Sequence, residues 1–134
     1  MTYLHKERTI WVTGAASGIG KAAAEEILSE GGYVIGSDLP TADFSWAKGI
    51  DNMRCVTGSV SDVAHNALAV ETAVSEFGHL DGAVLNAGMA GRIDLFDGDM
   101  EFFDEVMDVN VRAVILGIRA CASAMRPGSA ITVT

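Results

Sequence analysis

Short apolar runs alternate along the chain with longer stretches in which apolar residues recur every three or four positions. Thr9-Ile10-Trp11-Val12-Thr13 is β-branched and aromatic and stops at Gly14, which predicts a buried strand. Gly18 to Glu30 reads as a helix built on Ala22, Ala23, Ala24, Ile27 and Leu28, with Gly31-Gly32 as its stop. Residues 33–37 and 53–57 repeat the strand pattern on either side of an irregular segment broken by Pro40 and Gly49. Ser59 and Asp62 have capping-box spacing. Val63, Ala67, Val70, Val74 and Phe77 follow as one helical stripe, ended by Gly78. Residues 80–85 predict a fourth strand. A long helix is expected from Asp99 or Met100 towards Met125, with Glu101, Asp104 and Glu105 near its positive end and Pro127-Gly128 as its terminator. Its stripe is Phe103, Met107, Val114, Ile118, Cys121, Met125, and Asn110 falls inside it. Residues 130–134 predict a fifth strand. Strands alternating with helices mean βαβ units and a parallel sheet covered on both faces. With no repeat and no linker, residues 1–134 read as a single domain.

Composition narrows the partners. The net charge of -9 argues against nucleic acid and anionic membranes, which need clustered Lys and Arg. Cys55 and Cys121 stand far apart and read as reduced thiols; the three histidines never take ligand spacing, so no metal site is expected. The segment Met1 to Arg8 lacks the apolar core of a signal peptide, and the apolar stretch Val109 to Met125 is interrupted by Arg112 and Arg119. A cytoplasmic location is expected.

Thr13-Gly14-Ala15-Ala16-Ser17-Gly18-Ile19-Gly20 joins the first strand to the first helix, where a phosphate site belongs in this architecture. Its glycines allow a tight turn and clear side chains from the path of a pyrophosphate, and the helix terminus offers free N–H groups. A Walker loop is excluded, because Ala15 stands where its first glycine is required and Ala22 follows Lys21. Asp38 follows the second strand, eighteen residues past Gly20. A carboxylate there accepts both hydroxyl hydrogens of an adenosine ribose and repels a 2′-phosphate. No Lys or Arg lies within the loop or directly after Asp38, so NAD is expected rather than NADP. Alone, Asp38 would read as a turn cap.

Three motifs in order resemble the short-chain dehydrogenase/reductase family: Thr13-Gly14-x-x-x-Gly18-Ile19-Gly20, Asn86-Ala87-Gly88 after the fourth strand, and Val109-Asn110-Val111 in the long helix. The resemblance implies a doubly wound Rossmann-type α/β sheet, here truncated after its fifth strand. It implies that Gly14, Ser17, Gly18, Ile19 and Gly20 wrap the pyrophosphate. Asp38 would bind the ribose with Leu39 beside it, Val60 would lie near the adenine, and Asn86, Ala87 and Gly88 would line the cleft. Asn110 would be the catalytic-site asparagine, holding a water or backbone group; as a plain core amide it would instead bond a neighbouring backbone. Two positions depart from the family pattern: Ser59 stands where an Asp is usual, and Leu85 where another Asn is usual.

The family's later serine and Tyr-x-x-x-Lys are not found in these residues; Tyr3 and Tyr33 come too early and lack the lysine. The resemblance thus implies the cofactor half of an NAD-dependent oxidoreductase acting on a small alcohol or carbonyl substrate, inactive by itself. The alternatives are a non-catalytic dinucleotide-binding module and an interaction domain with an empty loop. An exposed fifth strand predicts a homo-oligomer or association with a missing C-terminal half.

Overall fold

The computed structural model describes residues 3–134; residues 1 and 2 of the polar N-terminal segment lie outside the described residues. Strands β1 (Thr9–Thr13), β2 (Tyr33–Asp38), β3 (Met53–Thr57), β4 (Leu80–Leu85) and β5 (Met125–Val133) alternate with helices α1 (Gly18–Ser29), α2 (Val63–Phe77), α3 (Met100–Met107) and α4 (Ala113–Ala122). A π-helical turn, Asp108–Arg112, joins the last two helices. The five strands form one sheet in the order β3-β2-β1-β4-β5, and every neighbouring pair is parallel. Parallel neighbours require crossovers, and the helices supply them. The chain winds from β1 out to β3, then returns across the sheet to β4. The winding therefore reverses between β1 and β4, and a crevice opens there at the carboxyl ends of the strands.

Both faces of the sheet are covered over β1, β2 and β3, whereas the edge strand β5 is largely exposed. Trp11, Ile35, Val56, Ala83 and Leu85 pack against Ala69, Val70 and Ala73 of α2 and Cys121 of α4. Ile10, Val12, Val34 and Met53 pack against Ala24 and Ile27 of α1. Trp11 is fully buried, and its indole N–H donates to Ser37 Oγ at 2.8 Å, so the large ring enters the core with its one polar atom satisfied. Cys121 is also fully buried, and burial pushes its thiol up to about 12, whereas Cys55 is exposed. A maleimide at neutral pH is expected to label one cysteine of the native protein and both after denaturation. Two labels on the native protein would contradict the packing of α4.

Three expectations about the helices need correction. Asp62, not Ser59, caps α2, its carboxylate accepting from Ala64 N–H at 3.0 Å. The buried face of α2 is His65, Asn66, Ala69, Val70 and Ala73; Val63, Ala67 and Val74 are exposed, because the helix is rotated so that small residues meet the sheet. The long helix is not continuous. Its π turn shifts the register, so Ala113, Gly117 and Cys121 point inward while Phe103, Met107 and Ile118 remain exposed and Asn110 leaves the apolar stripe. Gly117 is small for a reason: a Cβ there would lie 3.0 Å from Leu85 Cδ2, so the residue that departs from the family pattern is seated against α4.

Pro127-Gly128 does not separate helix from strand but lies within β5. Leu80 pairs with Met125 and Gly82 with Ala130, so two steps along β4 match five along β5. Gly128, at φ +85, allows the bulge, and an edge strand tolerates the missing proline N–H. At this amino end of the sheet the buried Asp81 carboxylate accepts from Thr9 N–H at 2.9 Å and pairs with His79 at 2.7 Å and with Arg126, tying β1, β4 and β5 together. Burial pushes this carboxyl up, but Arg126, the Thr9 N–H and His79 together outweigh it and hold it below the usual carboxylate range. Among the described residues no helix is long and apolar enough to cross a membrane.

Candidate functional site

The crevice at the winding reversal is a cleft of about 820 Å³. One side is built by the loop after β1. Gly14 and Gly18 take positive φ, +66 and +58, which favour glycine. A Cβ on Gly20 would stand 2.1 Å from the Gly14 carbonyl oxygen, and one on Gly14 would stand 2.9 Å from Asn86 Nδ2. The loop therefore folds back on itself, with no room for a side chain at Gly14 or Gly20. Ser17 is the N-cap of α1, and the N–H groups of Gly18, Ile19 and Gly20 have no partner within the helix.

Thr13 holds the other side. Its Oγ1 accepts from both Asn86 N–H and Ala87 N–H at 2.9 Å. The Asn86 side chain donates to Thr13 O at 3.2 Å and accepts from Thr134 Oγ1 at 2.9 Å. The ends of β1, β4 and β5 are thus bound across the reversal. Asp38 is held by two backbone donors: Ala16 N–H to Oδ2 at 3.0 Å and Leu39 N–H to Oδ1 at 2.8 Å. It therefore caps a turn and presents a positioned charge at once, and each oxygen keeps a lone pair for a further donor.

Of the residues singled out from the sequence, Gly14, Ser17, Asp38, Leu39, Val60, Asn86, Ala87 and Gly88 line this one cleft. Gly18, Ile19 and Gly20 continue from Ser17 as the first turn of α1. Asn110 lies behind the cleft on the π turn, exposed rather than buried. It accepts from Met89 N–H and donates to Met89 O, both at 2.8 Å, so its amide clamps the backbone next to Gly88. Ser59 accepts from Ser61 N–H at 3.2 Å and lines the cleft without capping α2.

Two features were missed. The far wall carries Glu101, Asp104, Glu105 and Asp108, so with Asp38 the lining holds five carboxylates and no Lys or Arg. Their spacing, three and four residues apart, places them on one helix face; the helix dipole bears on Glu101, Asp104 and Glu105 but does not reach Asp108 or the cleft. Lys21 lies outside the cleft in an adjoining hollow of about 370 Å³ that Asp38 also lines, with Asp43 and Trp46; its ammonium is 5.6 Å from the Trp46 ring and 4.0 Å from Glu25.

The comparisons agree with this geometry. A profile described as short chain dehydrogenase matches residues 8–134. The chain belongs to the short-chain dehydrogenase family. It is 37% identical over 122 residues to 2-(R)-hydroxypropyl-CoM dehydrogenase of Xanthobacter autotrophicus, covering 84% of this chain and 49% of that protein. It is 30% identical over 128 residues to cis-2,3-dihydrobiphenyl-2,3-diol dehydrogenase of Paraburkholderia xenovorans, covering 90% and 46% respectively. Among solved structures, a short chain dehydrogenase from Burkholderia cenocepacia in complex with NADP matches with a TM-score of 0.87 at 29% identity, covering 96% of this chain and 55% of that one. A short-chain dehydrogenase/reductase from Brucella melitensis matches in fold with a TM-score of 0.89 at 21% identity, over 99% of this chain and 58% of that one. The chain spans about half the length of the curated short-chain dehydrogenases it matches.

Proposed function

We propose that residues 1–134 act as one nucleotide-binding unit that holds NAD in this cleft, within an oxidoreductase acting on an alcohol or carbonyl substrate. The observation that carries the reading is Asp38: its carboxylate is anchored by two backbone N–H groups at the end of β2, in a cleft lined by no Lys or Arg. Gly14, Ser17, Gly18, Ile19 and Gly20 fit a pyrophosphate, because Gly14, Gly18 and Gly20 present backbone without side chains and a helix N-terminus stabilises a nearby anion by ~0.3–1 kcal/mol. Asp38, with Leu39 beside it, fits the ribose; Val60 fits the base; Asn86, Ala87 and Gly88 fit the nicotinamide side of the crevice. When bound, the nicotinamide supplies or accepts the hydride. Asn110 acts by holding Met89 and so the segment after Gly88. Residues 1–134 contain no Tyr-x-x-x-Lys, and by themselves they are expected to bind the nucleotide without turnover, in the cytoplasm.

Asp38→Arg is the test of cofactor choice. The variant is expected to weaken NADH at least tenfold, since one lost charge-assisted contact and one added steric group exceed about 1.4 kcal/mol, and to admit NADPH. Equal affinity of the unaltered protein for NADH and NADPH would defeat the assignment. A second reading, NADP, draws on Lys21 beside Asp38 and on the NADP carried by the Burkholderia cenocepacia structure. Asp38 and Asp43 line the same hollow, so a 2′-phosphate there would meet two carboxylates for one ammonium.

A further inference from the structure

The strand order assigns each part of a dinucleotide to a different strand end. The glycine loop follows β1, Asp38 closes β2, and Gly58 to Ser61 follow β3 beside it. A base attached to a ribose at Asp38 therefore meets the wall Gly58, Ser59, Val60 and Ser61, all of which line the cleft. The wall is held in two ways. In front, Ser59 Oγ takes the Ser61 N–H at 3.2 Å. Beneath, the side chain of Asn66 on α2 donates to the Val60 carbonyl at 2.9 Å.

Asn66 is 1% exposed and shares the buried face of α2 with His65, Ala69, Val70 and Ala73. Its amide N–H has one partner, the Val60 carbonyl. The bond ties the Val60 carbonyl to α2, so the backbone of a residue that lines the cleft is fixed by the helix behind it. The neighbouring His65 packs on the same wall from the same helix: a Cβ on Gly58 would lie 2.5 Å from its Nδ1, so no side chain fits between them.

We propose that Asn66 is a positioning residue for the base half of the nucleotide, setting affinity for the base through Val60 without touching the ligand. The inference rests on the cleft being a dinucleotide site. The experiment compares AMP, NADH and reduced nicotinamide mononucleotide, which lacks the base half, on the unaltered protein and on Asn66→Leu and Asn66→Ala. Alanine removes the amide without adding bulk or a buried charge, so it reads the same loss if the leucine variant folds poorly. Both variants are expected to bind AMP and NADH about fivefold more weakly, the fold-change of one ordinary hydrogen bond. Mononucleotide binding should be unchanged. Unchanged AMP affinity in both variants overturns the proposal, and so does an equal loss of AMP and mononucleotide, which marks general loosening. Failure of the unaltered protein to bind AMP or NADH overturns the dinucleotide reading itself, and the role of Asn66 with it.

Discussion

Replacing Asp81 by alanine is expected to lower stability by about 3 kcal/mol, the sum of an orphaned buried donor at ~1–3 kcal/mol and the loss of charge-assisted bonds. The donor is the N–H of Thr9, a residue with no exposed surface; the charged partners are Arg126 and His79. Arg126 is half exposed and regains water when its partner is removed, which keeps the loss below that of a fully buried pair. At this chain length the change corresponds to a melting temperature lower by roughly 10 °C. Asp81→Asn separates charge from shape. The Asp81 carboxyl lies below its ordinary range in the folded protein, so its charge contributes stability that is complete above the unfolded value of about 4 and is lost as pH falls through the lower folded value. The gap between the unaltered protein and Asp81→Asn should therefore be widest at neutral pH and close in acid. Thermal unfolding at several pH values measures it; an alanine variant that melts with the unaltered protein would show that this cluster does not brace the sheet.

Gly20→Ala should abolish tight nucleotide binding at modest structural cost. One methyl group would stand 2.1 Å from the Gly14 carbonyl oxygen and 2.7 Å from Asn86 Nδ2, and neither neighbour is the free end of a flexible chain. The loop must then open, which as overpacking costs about 1–3 kcal/mol. The N–H groups of α1 move away from the position where they converge, and dinucleotide affinity is expected to drop more than tenfold. Gly49→Ala provides the control. That glycine has positive φ, +80, with nothing near its Cβ, so the substitution brings backbone strain of order 1 kcal/mol without disturbing the cleft. Titration of NADH fluorescence should show loss for Gly20→Ala and near-native affinity for Gly49→Ala. Native affinity in Gly20→Ala would mean that the nucleotide does not rest on this loop.

The first four strands were legible because each is a short apolar run that stops near a glycine or turn residue, as strands inside a parallel sheet demand. In contrast, β5 was legible only in its second half, because Pro127-Gly128 form a bulge within it rather than a helix stop. The glycine loop and Asp38 were legible for a related reason: their roles are backbone roles tied to the ends of strands, and the order of elements already locates those ends. Helix faces were less legible. In α2 the sheet takes Ala69 and Ala73, so close approach outranked side-chain size, and the larger Val63 and Val74 were left outside. In the long helix a single π turn shifted the register and moved Asn110 from the core stripe to a clamp on Met89. Nothing in local spacing distinguishes a π turn from the α-helix around it.

Sequence alone determined the alternation of strand and helix, the family, the glycine loop and the acid at the end of β2, since each depends on neighbours within one βα unit. The tertiary structure alone decided which distant groups share a space: Thr13 with Asn86 and Ala87, Asp81 with Thr9 and Arg126, Asn66 with the wall beside Asp38, and four carboxylates of the late helix facing that acid across the cleft. Those juxtapositions follow from strand order and helix rotation, which are set by packing across the whole sheet rather than by any segment of the chain.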